Sequence, residues 1–274
     1  MRSLGLHMRL NGPLMAVAHR AVALRLPIFQ SFFVNVVTNK MIQPTKAEAD
    51  AFAQYARAHF SQLYVHGSYW INLASLIHTG YTVFKKELAL AQRLSFTHMV
   101  LHPGTAKGAV TKLAGIDALA RVLNSINTIE HGLVIVLENT AHGNLAVGSD
   151  LVDFSLLFEK LDKPERVQFC LDTSHAHAFG YELIDVQQQD AFIALIDECI
   201  GLSRVQLIHL NDTSQERGSR IDQHAIIGHG QLGKASLQRL AQHPALAHIP
   251  LILELPTLEL DQEVEILNEV RQWL

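Results

Sequence analysis

VQFCLDTSH, residues 167–175, is an apolar run that stops on an aspartate, with a histidine three residues beyond it. Val167–Asp172 reads as a strand buried on both faces, because such strands are near-continuous apolar runs rather than alternating ones. A carboxylate at the end of an aliphatic strand needs a neutralising partner. Outward from this stretch the same form recurs. Strands are expected at Leu4–Met8, Ile28–Asn35, Gln62–His66, His98–His102, Leu133–Glu138, Val205–His209 and Pro250–Glu254. Helical patterns lie between them at Thr45–His59, Thr82–Leu94, Gly115–Glu130, Asp190–Gly201, Lys234–Gln242 and Asp261–Leu274. The first opens on a capping box, Thr45 with Glu48 three residues on. Strands alternating with helices imply parallel pairing with crossover helices, and eight such units predict an α/β fold, a closed (β/α)8 TIM barrel.

The 274 residues suit one such barrel, so residues 1–274 are expected to form a single catalytic domain. Hydrophobic residues make up 49% and charged residues 18% of the chain, a balance that excludes an intrinsically disordered protein. No apolar run is long enough for a membrane span, and the start lacks the pattern of a signal peptide. Two cysteines, Cys170 and Cys199, make no disulfide framework, so a reducing cytoplasm is expected, with Cys170 a buried small hydrophobe. The net charge of −4 argues against a nucleic-acid partner until the 16 histidines are weighed, since imidazole is the commonest metal ligand. Bound divalent cations add positive charge that the count omits.

The expected strands end in His66, His102, Glu138, Asp172, His209 and Glu254, at successive intervals of 36, 36, 34, 37 and 45 residues. That is the rhythm of one βα unit per side chain. In a barrel the strand C-termini converge on one face, where active sites sit. Imidazoles and carboxylates together are ligands for zinc. His175 lies just past the sixth strand. Asp222 and His224 form a D-x-H pair within the longest irregular stretch, 211–233, and long loops inside compact domains are usually functional. His7 ends near this face without an assigned role. His177 and His229 lie near it, while His59, His78, His131, His243 and His248 read as surface or helix-end residues.

On these residues the chain resembles the endonuclease IV family of apurinic/apyrimidinic endonucleases, within the xylose-isomerase-like barrel superfamily. The matching segments are HGSYWINLAS (66–75), LHPG (101–104), LENTA (137–141), LDTSHAHAFGY (171–181), HLND (209–212), GSRIDQH (218–224) and LILELP (251–256). The resemblance implies three zinc ions, part of the site accepting manganese. His66 and His102 would hold one, with Glu138 bridging to a second completed by Asp172, His209 and Glu254; His175, Asp222 and His224 would hold the third. It further implies hydrolysis of the DNA backbone 5′ to an abasic site in base excision repair, leaving a 3′-hydroxyl. Glu138 is then catalytic as the bridging ligand of two ions that share a hydroxide, so no serine or cysteine nucleophile is needed. The implied partner is double-stranded DNA containing abasic sites, with neither a membrane nor an obligate protein partner. Tyr69 and Trp70 would stack or wedge where a base is missing, and Arg220 and Asn35 would contact DNA. The chain departs from the family after the second strand. There Asn35-Val36-Val37-Thr38-Asn39-Lys40 replaces a polar, basic and aromatic DNA-probing segment, and the first loop, 8–13, lacks the double glycine. Two other readings use part of the ligand set: a metal-dependent sugar isomerase or epimerase, which needs only Glu138, Asp172, His209 and Glu254, and a zinc-stabilised binder of damaged DNA that does not cut.

Overall fold

The computed structural model describes residues 2–10, 12–35, 38, 40–127 and 132–274. Eight parallel strands among them close into a barrel: β1 (Leu4–His7), β2 (Ile28–Phe32), β3 (Gln62–His66), β4 (His98–Leu101), β5 (Val134–Glu138), β6 (Val167–Asp172), β7 (Val205–His209) and β8 (Leu251–Leu253). Each pairs with its sequence neighbour, and β1 closes the ring on β8 through Leu4↔Leu251 and Leu6↔Leu253. The expected barrel is therefore the observed fold.

The surrounding helices are α1 (Leu14–Ala23), α2 (Lys46–His59), α3 (Tyr81–Arg93), α4 (Lys112–Asn127), α5 (Val152–Phe158), α6 (Thr173–Phe179), α7 (Val186–Cys199), α8 (Gly233–Gln242) and α9 (Leu260–Arg271). The capping box of α2 is present: Glu48 N donates to Thr45 Oγ1, and Glu48 Oε2 accepts from Thr45 N. Three helices were not expected. α1 follows Pro13 with no side-chain cap; α5 and α6 span only seven residues each, too short for a clear helical period. α7 starts four residues before the expected Asp190, because the Asp185 carboxylate accepts from Gln187 N and Gln188 N.

The second strand is shorter than the expected Ile28–Asn35. It stops at Phe32, and the chain turns out into a hairpin pairing Val34–Asn35 with Lys40–Met41, closed by Ile42 N donating to Phe33 O. The apolar residues of the hairpin extended the apparent strand. Asn11, Val36, Val37, Asn39, His131 and the expected helix end at Glu130 lie outside the described residues.

The strand period of two organises the barrel interior. Ile28, Tyr64, Val100, Val136, Cys170, Leu207 and Ile252, one from each of β2 to β8, form a buried cluster of their own. Gly5 holds the matching place in β1, where an added Cβ would stand 2.6 Å from Ile28 O. Two residues further along each chain come His7, Gln30, His66, His102, Glu138, Asp172, His209 and Glu254. An apolar floor thus lies beneath a polar ring at the C-terminal face, where barrel active sites form. No helix among the described residues is long and apolar enough to cross a membrane.

Candidate metal centre

Ligand atoms of His66, His102 and Glu138 lie within 4.8 Å of one another, as do those of Glu138, Asp172, His209 and Glu254 and those of Asp172, His175 and His224. Eight of the nine sequence-predicted ligands fall in these groups. The ninth, Asp222, places Oδ1 3.1 Å from His175 Nε2 and 3.7 Å from His224 Nε2, so it meets the last group from the loop side. The loop and the barrel rim therefore both offer a carboxylate to the two outer histidines.

Glu138 is fully buried and divides its oxygens. Oε2 lies 3.0 Å from His66 Nε2 and 3.2 Å from His102 Nε2, whereas Oε1 lies 3.1 Å from His209 Nδ1. This is the geometry of a carboxylate shared by two adjacent groups. Donors bonded tetrahedrally to one zinc ion at about 2.0–2.1 Å stand about 3.3 Å apart, so these spacings fit an ion at each group.

Hydrogen bonding from behind orients the imidazoles. His66 Nδ1 donates to Gly67 O (2.9 Å), His175 Nδ1 to Asn139 O (2.9 Å), His224 Nδ1 to Glu254 O (3.2 Å) and His209 Nε2 to Gln30 Oε1 (3.0 Å). In each ring the other nitrogen then faces the carboxylates, the orientation typical of metal-bound histidine. A ring nitrogen and a carboxylate oxygen this close in a buried site require either a proton or a bound cation between them. His175 Nε2 is itself buried, with Asp222 Oδ1 at 3.1 Å. Imidazoles and carboxylates with no thiolate suit zinc or manganese. The residues present fit divalent cations on chemistry as well as spacing.

The charges respond as expected of such a cluster. Burial pushes the Glu138 carboxyl up, but the facing His209 and His102 outweigh it and hold it well below the usual range. Burial lowers His175, yet Asp172 and then Asp222 and Glu138 drive it well above the ordinary imidazole value. Asp172, as fully buried as Glu138, is raised by burial. Cys170 sits in the floor, where burial pushes its thiol up to about 12, too high for a nucleophile at neutral pH.

Local structure explains the placement. Asp172 ends β6 and caps α6, its Oδ1 accepting from His175 N at 2.7 Å, so one helical turn delivers two candidate ligands to the site. Loop 211–233 is gathered around the buried Asp212 carboxylate. Its Oδ1 accepts from Thr213 N and Leu232 N, and its Oδ2 from Gly228 N and Gly230 N. Gly230 fits because it lacks a side chain: a Cβ there would lie 2.4 Å from Asp212 Oδ1. The loop's hairpin pairs Thr213 with His224 and so fixes the D-x-H pair over the barrel mouth.

Sequence reasoning missed three amides and left His7 unassigned. Gln30 Nε2 donates to Glu254 Oε1 (2.6 Å) while its Oε1 holds His209. Asn211 Nδ2 donates to Asp172 Oδ2 (2.6 Å) and Glu254 Oε2 (3.1 Å). Asn139 Oδ1 accepts from Asp172 N (2.7 Å). His7 Nδ1 stands 3.2 Å from Glu254 Oε1. Asn139 and Asn211 are each one or two residues from a ligand, and Gln30 is the amide inside an otherwise apolar strand; those were the available signals.

Of the side chains expected at the DNA interface, Tyr69 and Trp70 are 78% and 59% exposed. Tyr69 stands 5.7 Å from Phe32, centroid to centroid, beside the ligands in a cleft of about 480 Å³. Arg220 lies 3.9 Å over the Phe179 ring with a left-handed backbone (φ 64°). The Asn35 Oδ1 accepts from Thr38 N within its hairpin.

Residues 29–274 match the family described as xylose isomerase-like TIM barrel. The chain is 34% identical over 262 residues to a protein of Chloroflexus aggregans named probable endonuclease 4, covering 92% of this chain and 90% of that one. The crystal structure of endonuclease IV from Thermus thermophilus superposes with a TM-score of 0.83 at 26% identity, covering 100% of this chain and 98% of the other. A D-tagatose 3-epimerase-like protein shares the fold at a TM-score of 0.72 and 15% identity, over 100% of this chain and 97% of its own. With this extent of identity and a shared barrel, the chain belongs to the endonuclease IV family of xylose isomerase-like TIM barrels.

Proposed function

We propose that this protein hydrolyses the DNA phosphodiester bond 5′ to an apurinic/apyrimidinic site in base excision repair, leaving a 3′-hydroxyl, with three zinc ions as cofactors and manganese accepted at part of the site. The observation that carries this reading is the addition of His66, His102, His175, Asp222 and His224 to the Glu138–Asp172–His209–Glu254 group. A sugar isomerase or epimerase has no need of the larger set.

When bound, the ions supply Lewis acidity and a nucleophile drawn from water near neutral pH. The chain's own residues do the rest. His66, His102 and Glu138 would hold the first ion; Glu138, Asp172, His209 and Glu254 the second; His175, Asp222 and His224 the third. Glu138, whose two oxygens face separate imidazoles, would be the residue common to the first two. Gln30 and Asn211 keep Glu254 and Asp172 aimed inward. Tyr69 and Trp70 stack at the gap left by the missing base, and the exposed guanidinium of Arg220, braced on Phe179, meets a backbone phosphate. Asn35 contributes a polar contact from its hairpin.

A labelled duplex carrying one abasic site tests the proposal. Zinc-loaded protein is expected to nick the strand on the 5′ side and leave an end that a polymerase extends. Specific retention of the duplex with both strands intact would instead support the binder, and absence of both binding and cleavage would remove DNA as the substrate.

A further inference from the structure

The polar ring has an upper neighbour. Met8 N donates to Gln30 O at 2.7 Å, so strand geometry continues one residue past β1. Arg9, two residues beyond His7, therefore leaves the backbone on the same side as His7 and lines the cleft shared by Tyr69, His224 and Glu254. It is the one lysine or arginine lining that cleft among the described residues. Its side chain is exposed, and no carboxylate among the described residues lies within ion-pair distance. NH1 instead donates to Thr257 Oγ1 at 2.6 Å, which bridges the loops after β1 and β8 and restrains the long side chain.

Glu254, which lines the same cleft, is committed to His7, Gln30 and Asn211. The guanidinium charge is thus available to an anion entering from outside. A guanidinium with one N–H tethered still offers its other N–H donors to a phosphate.

We propose that Arg9 is a strand-positioning residue that anchors a DNA backbone phosphate flanking the scissile one, on the β1–β8 side of the cleft. This rests on the nuclease reading.

The test is fluorescence anisotropy of the zinc-loaded protein with a duplex carrying one tetrahydrofuran abasic analogue and a non-hydrolysable linkage 5′ to it, titrated over a range of salt. R9A and R9Q are expected to weaken binding about tenfold and to reduce the slope of log K against log salt by about one, with zinc content unchanged. R9K is expected to keep the slope while losing part of the affinity. T257A is expected to weaken binding less than R9A and to keep the slope. Parental affinity and slope in R9A and R9Q would overturn this inference alone. Loss of zinc from those variants would also overturn it, making Arg9 a support of the metal centre. Failure of the parent protein to bind the duplex would overturn the nuclease reading and this inference with it.

Discussion

Glu138 carries the account at the residue scale, because two groups of imidazoles address its separate oxygens. Glu138→Ala is expected to abolish cleavage while the barrel stays folded; unchanged turnover would reject its role. Gln30→Leu removes the group holding both His209 and Glu254. Metal affinity in that variant is expected to fall about 10–100-fold, measured by chelator competition. His98 gives a pH-dependent prediction away from the ligands. It is buried, stacks on Tyr64 at 4.6 Å, and burial lowers its pKa to about 4. The unfolded chain takes up this proton as pH falls below about 6.5, while the folded chain resists until about 4. Its contribution is therefore intact above pH 6.5 and lost between 6.5 and 4, up to about 3 kcal/mol. In chelator, His98→Phe is expected to show a shallower fall in stability across that window, checked by denaturant unfolding at each pH. Six of the candidate ligands stood out in the sequence because a charged or imidazole side chain closes an apolar run. Gln30 did not, since its function comes from neighbours on β7 and β8 more than 170 residues away.

At the scale of elements, the strand period does most of the positioning. Each barrel strand contributes one floor position and, two residues later, one polar side chain to the ring. Strand types and order were readable because buried parallel strands are apolar runs, but strand ends were not always: the apolar Phe33 and Val34 concealed the exit of the chain into a hairpin. α6 was hidden because it begins at the very end of β6, with the ligand Asp172 as its cap. The loop after β7 stood out as a candidate functional segment by its length, whereas its organiser, Asp212, was not recognised within HLND. Asp212→Asn replaces one accepting oxygen with a donor and leaves loop N–H groups unsatisfied, at about 1–3 kcal/mol for a buried group. The expected outcome is selective loss of the ion held by His175, Asp222 and His224, read as a drop of about one zinc per chain, with the barrel still folded. Full zinc content would show that the loop is held by other contacts.

For the whole molecule, a barrel with an apolar floor brings carboxylates from distant parts of the chain into one mouth, where their repulsion is relieved by protons or metal ions. Cations that bind the folded form raise its stability by mass action, so chelation is expected to lower Tm and zinc to restore it. The net charge of −4 is likewise a property of the chain without its ions; three divalent ions take it to +2, compatible with a polyanionic substrate. The central claim is that nine side chains from β3 to the end of β8 hold three ions together. Elemental analysis of zinc-saturated protein after removal of loosely bound metal tests it most directly: about three zinc ions per chain are expected, and a value near one would contradict the account.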